Sequence, residues 1–225
     1  MKKFFCVLVL GVISGFSMMA QTVSDQQSSS KDDGEIKTLF HKSGHPMKIG
    51  YYISPESAYT QFDGKDVFMA GLSFGAIIDH FFSVGLAASG IVNPGNLWYD
   101  NVKDSAGAYL YGAYGGLKFE FRVFPAYPVH VNFPILIGGG GMAFNTDMYH
   151  HDGQNNNDNY NGTTLDWDAF FVVEPGVMLE LNLVKFMRVD AGVSYRYTPD
   201  LDLINTSSGL INNFNANLSL KFGKF

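Results

Sequence analysis

Residues Met187–Tyr197, MRVDAGVSYRY, alternate without a break. The odd positions are Met187, Val189, Ala191, Val193, Tyr195 and Tyr197; the even positions are Arg188, Asp190, Gly192, Ser194 and Arg196. A β-strand sends successive side chains to opposite faces, so one face here is wholly apolar and the other carries three charges and two small residues. Two surroundings accept such a strand. A soluble barrel buries the apolar face in its core, whereas a transmembrane barrel turns it to lipid and keeps the charges in its lumen.

Seven further segments from Met47 onward repeat the pattern. Their apolar faces begin with Met47, Ile49, Tyr51 and Ile53 in Met47–Glu56 and with Phe68, Ala70, Leu72 and Phe74 in Val67–Ile78. Phe82, Val84 and Leu86 follow in Phe81–Ile91, then Tyr109, Tyr111, Leu117, Phe119 and Phe121 in Ala108–Phe124. Val129, Val131, Phe133, Ile135 and Ile137 mark Val129–Phe144, and Trp167, Ala169, Phe171, Val177 and Leu179 mark Trp167–Leu181. Phe214, Ala216, Leu218, Leu220 and Phe222 close the series in Asn212–Phe222. Tight connections at Asp79-His80, Pro125–Pro128 and Asn182–Lys185 alternate with longer ones at Ser57–Asp66, Val92–Gly107, Asn145–Asp166 and Thr198–Ile211. The sequence therefore predicts an all-β chain: an eight-stranded antiparallel transmembrane β-barrel with short periplasmic turns and longer extracellular loops.

The opposite faces favour lipid outside. In this register the inward set holds Lys48, Glu56, Lys118, Glu120, Arg122, Asp168, Glu174, Glu180, Arg188, Asp190, Arg196 and Lys221, six bases and six acids. Aromatic residues fall near strand ends on the outward face. Phe82, Phe121 and Phe222, with Phe124, Tyr127 and Phe186, lie towards the short-turn rim. Tyr109, Tyr111, Trp167, Tyr195 and Tyr197, with Phe214, lie towards the long-loop rim. Two such belts are interface girdles. An eight-stranded barrel is only wide enough for side chains inside. Equal numbers of opposite charges therefore predict mutual pairing, with Arg188, Asp190 and Arg196 meeting Glu174, Glu180 and other inner charges. Inward glycines such as Gly116, Gly138 and Gly192 are expected to leave room for long Arg and Lys chains.

The compartment follows from the first residues. Lys2 and Lys3, the apolar run Phe4–Ile13 and Ala20 have the layout of a secretory signal peptide over residues 1–20. Its removal leaves 13 Lys and Arg against 21 Asp and Glu, a net charge of −8. That charge speaks against nucleic-acid binding. Cys6, the only cysteine, lies in the signal segment, so no disulfide is expected. Residues 21–46 read as a periplasmic leader, Ser/Gln-rich at first and with one short helix expected within Asp32–Gly44; residues 47–225 form the barrel.

Motifs for chemistry are sparse. His150, His151 and Asp152, with Asp158, Asp166 and Asp168, supply metal-ligand types, but no spacing matches an EF-hand or a zinc site, so neither metal nor cofactor is expected. The Asn161–Thr163 triplet fits glycosylation by composition only. No G-x-S-x-G elbow occurs, and no serine is placed as a partner for His80 or His130, so no enzyme is expected. The run Gly138–Gly141 reads as close packing or a bulge within a strand.

The whole pattern of signal peptide, eight alternating segments, short turns and an aromatic end resembles the small OmpA/OmpX-like eight-stranded outer-membrane β-barrel families. That resemblance implies residence in the outer membrane of a Gram-negative bacterium, contact with its lipid and lipopolysaccharide, and assembly by the outer-membrane insertion machinery, which reads the last strand. Leu218, Leu220 and Phe222 are in phase with the outward face, but Phe225 is out of phase, which predicts either a bulge or an effective end at Phe222. No peptidoglycan-binding domain follows the barrel in the sequence, which argues against an anchoring role. The expected role is that of a monomeric, sealed barrel with a structural or surface-interaction function through its loops, some of which meet an unidentified extracellular ligand. A narrow porin-like channel is the second reading and a lipid-modifying enzyme the third.

Overall fold

The computed structural model describes residues 48–104, 106–146, 163–199, 201–207 and 209–225. The signal peptide, the leader with its expected helix, the His150-His151-Asp152 run and Asn161 lie outside the described residues.

Nine strands form: β1 Ile49–Phe62, β2 Lys65–Ile78, β3 Phe82–Ile91, β4 Trp98–Lys103, β5 Ala106–Val123, β6 Val129–Asn145, β7 Thr164–Val184, β8 Met187–Tyr195 and β9 Phe214–Lys224. Each neighbour pair is antiparallel, and β3 pairs with both β2 and β5. With β9 returning to β1, the eight strands other than β4 close into a ring without free edges. The short β4 stands beyond β3 and pairs with the far end of β5, with Trp98 opposite Tyr109.

Side chains sort by parity as the alternation requires. In β8, Arg188, Asp190 and Ser194 are buried, while Ala191 and Val193 are exposed on the outside. Leu72, Phe74, Leu86, Leu117, Leu179 and Leu218 are likewise exposed. A protein that buries arginines and exposes leucines is inside-out relative to a soluble one, and only an apolar surrounding makes that favourable. From Ile49 to Tyr59 the outward face of β1, at about 3.3 Å per residue and a tilt near 40°, spans roughly 25 Å, the height of an outer-membrane apolar band.

Two connections differ from expectation. The long connection expected at Ser57–Asp66 is a two-residue turn, because β1 continues to Phe62 and β2 starts at Lys65. Asp63 and Gly64 have φ of 48° and 75°, the left-handed pair that lets a hairpin turn match strand twist. Tyr59 and Gln61 then donate to Asp66 across the hairpin. The loop expected at Val92–Gly107 contains a 3₁₀ turn at Pro94–Asn96 and the strand β4. The glycines, too, serve a different purpose. A Cβ on Gly116 would lie 2.2 Å from the Ile137 carbonyl oxygen, and one on Gly138 would lie 2.0 Å from that of Gly115. Backbone of the paired strand approaches there, not an Arg or Lys side chain. The β5–β6 register runs through Gly138–Gly141 unshifted, so this run is close packing and not a bulge.

Candidate functional site

The lumen has two storeys. In the half nearer the short turns, Glu180 on β7 accepts from Arg122 Nε (3.0 Å), His130 Nε2 (2.7 Å) and Arg188 Nη1 (2.7 Å), and pairs with Lys221 Nζ (2.8 Å). Lys221 also reaches Glu120 (2.9 Å) and Asp190 (2.5 Å). Glu120 accepts from Arg122 Nη2 (2.5 Å) and Ser83 Oγ (2.9 Å). Lys118 joins Glu120 (3.8 Å) to Glu56, which also accepts from Ser73 Oγ (2.6 Å). Higher up, Glu174 accepts from Tyr114 Oη (2.6 Å), Ser194 Oγ (2.5 Å) and Asn215 Nδ2 (2.9 Å), with Arg196 Nε at 3.7 Å. The Arg196 guanidinium lies over the rings of both Phe62 and Tyr114.

The lumen thus gathers five bases, Lys118, Arg122, Arg188, Arg196 and Lys221, and five acids, Glu56, Glu120, Glu174, Glu180 and Asp190. Taking ions out of water costs several kcal/mol each, which only dense pairing offsets. Strand alternation puts these charges inside, and ring closure brings charges distant in sequence together.

Two residues of the expected inner set lie outside this network. Lys48 precedes β1 and is exposed, its backbone N–H donating to Asp79 Oδ1. Asp168 stands at the long-loop end of β7, where Oδ2 accepts from the Asp202 N–H (2.7 Å). Asp166 accepts similarly from the Ile204 N–H (2.7 Å). Both carboxylates therefore tether a loop by its backbone. Among the described residues no group of three or more His, Cys, Asp or Glu is arranged to hold a metal ion.

The upper storey is a feature that the sequence reading did not anticipate. Phe62, Val67, Met69, Leu110, Met142, Phe144, Phe170 and Val172 point inward there and are buried. The connections fold in over them, contributing Leu97, Leu201, Leu203, Leu210 and Ile211. Asn205 Nδ2 fastens this cover to the β4 segment through the carbonyls of Asn101 and Val102. Alternating Leu201, Leu203 and the pair Leu210-Ile211, in a stretch taken for an open loop, were the available signal.

The aromatic residues expected in the two belts lie on the outer face. Phe82 packs on Phe121 with centroids 4.9 Å apart, and Phe222 on β9 is exposed in the same outward phase. Towards the other rim, Trp98 meets Tyr109 edge-on (4.7 Å), Tyr195 meets Phe214 (5.0 Å), and Trp167 and Tyr197 are exposed; Tyr111 is half-buried. The β9 register has no shift, so Phe225 falls in the inward phase, and its ring lies 4.0 Å from the Arg188 guanidinium.

No protein-family model matches the chain, and neither does any curated protein. Solved structures do. Neisserial surface protein A (NspA) superposes with a TM-score of 0.51 at 11% identity, over 80% of this chain and 100% of that one. The N-terminal β-barrel domain of Pseudomonas aeruginosa OprF matches at 0.47 and 11% identity, over 77% of this chain and 96% of that one. Ail, the attachment invasion locus protein of Yersinia pestis, matches at 0.44 and 13%, over 78% and 97%. The chain has the fold of the small eight-stranded outer-membrane β-barrels.

Proposed function

We propose that this protein resides in the outer membrane as a barrel closed to solutes, and that it serves a structural or surface-interaction role through its long-loop end. The observation that carries this reading is the two-storey filling of the lumen. Arg122, Glu180 and Lys221 are fully buried at one level, and Phe62, Phe144 and Ile211 are fully buried at another. The space enclosed between Glu56, Glu174 and Asp190 amounts to only about 60 Å³. That is room for only a few water molecules. A pore would need a continuous wet path, and a layer of fully buried apolar side chains opposes one.

The aromatic belts support contact with lipid and lipopolysaccharide around the wall, and the outward Leu218, Leu220 and Phe222 face supports recognition by the insertion machinery. A platform at the long-loop end is supported by the Asp166 and Asp168 tethers and the apolar cover, which hold residues 201–204 and 210–211 to the barrel. A non-enzymatic role is supported by the place of His130, which is bonded within the charge network to Glu180, and of Ser83, which donates to Glu120 there. Proteoliposome swelling tests the reading. With a pentose as external solute, vesicles holding the protein should swell no faster than protein-free vesicles; faster, dose-dependent swelling would establish the channel instead.

A further inference from the structure

We propose that the short-turn mouth of the barrel is a binding site for an oxyanion, a carboxylate or phosphate group presented from that side of the membrane. A recess of about 630 Å³ opens there between Asp79, His80, Asn182, Lys185, Arg188 and Phe225. Its volume is that of a small-molecule site. Arg188 is only 5% exposed, yet of its donors only Nη1 is engaged, with Glu180 at 2.7 Å. The Arg188 guanidinium carbon lies over the Phe225 ring, 4.0 Å from its centroid. Nε and Nη2 make no hydrogen bond to any described residue. A planar fork of N–H donors held by packing is the geometry that oxyanions bind.

The charges around it agree. Glu180 also serves Arg122, Lys221 and His130, so it does not neutralise Arg188 alone. Lys185 and His80 stand at the rim, and the Asp79 carboxylate there already accepts from the Lys48 amide. Across the β7–β8 pair, Asn182 sits opposite Arg188. Its Nδ2 donates to the Tyr127 carbonyl, while its Oδ1 is buried without a partner.

The site is tested on the full-length protein in alkyl-maltoside micelles, which contain no phosphate. Inorganic phosphate, N-acetyl-alanine and phosphatidylglycerol are titrated separately, with NMR of the Arg188 Nε, Asn182 Nδ2 and Phe225 amide signals as readout. The expected result is saturable shifts at these groups, with Ser194 and Asn217 in mid-lumen unmoved. A response to phosphatidylglycerol alone assigns the anion to a lipid headgroup; a response to either soluble probe assigns it to a solute. Asn182→Asp supplies a carboxylate opposite Arg188 and should weaken binding on the order of tenfold, as replacing one charge-assisted partner does. Lys185→Gln, outside the lumen network, should weaken it less. Shifts that do not saturate, or that survive Asn182→Asp and Lys185→Gln unchanged, would overturn the proposal.

Discussion

Lys221 meets carboxylates from three other strands, Glu120 on β5, Glu180 on β7 and Asp190 on β8, and is fully buried on β9. Among the described residues, only its ammonium touches all three acids. Removing it strands carboxylates in a low-dielectric interior, which costs far more than losing one ordinary hydrogen bond. Lys221→Met should therefore destabilise the folded barrel by about 3–5 kcal/mol. Ser83→Ala, which removes one donor to Glu120, should cost only about 1 kcal/mol. Reversible urea unfolding in lipid vesicles, followed by tryptophan emission, measures both; equal small losses would show that the network contributes little. At Gly138 the limit is backbone approach. Gly138→Ala places a methyl where the Gly115 carbonyl oxygen stands, so β5 and β6 must part locally. The expected cost is about 1–3 kcal/mol, read in the same assay.

Among elements, the cover over the lumen is the least local. Residues 201–204 and 210–211 are held by inward leucine and isoleucine side chains and by two aspartate-to-amide bonds from β7. Asp166→Ala and Asp168→Ala together should raise amide exchange at Asp202 and Ile204 by one to two orders of magnitude, at roughly 1 kcal/mol per bond. Protection at Phe170 and Val172 should stay intact. Unchanged exchange at 202 and 204 would mean that the leucines alone hold the cover. The ring strands themselves were legible in the sequence, because period-two alternation in segments such as Met187–Tyr197 leaves only one face that can be apolar. The same parity placed Lys118, Glu120, Arg122 and Glu180 on the inner face. It misplaced Lys48 and Asp168, since alternation says which face a residue takes and not where the ring ends. The Asp63-Gly64 turn was overlooked although Asp-Gly is a hairpin signal; Gln61 and Asp66 around it broke the apolar pattern. The folded-in loop was not legible because its leucines acquire a partner only after the ring has closed.

For the molecule as a whole, the inverted distribution of polarity is the physical statement: charges within, leucines and aromatics without. The two tryptophans, Trp98 and Trp167, both lie on the outward face near the long-loop rim. In vesicles their emission should be quenched strongly by lipids brominated near the headgroup and weakly by lipids brominated near the chain end, because girdle residues sit at the interface. The reverse order, or no quenching, would contradict the placement of that belt. The proposed closure of the lumen is tested most directly by current recordings from purified protein in a planar lipid bilayer. The two-storey filling predicts a baseline free of stable openings across both voltage polarities, whereas reproducible ohmic channels whose conductance scales with salt concentration would contradict it.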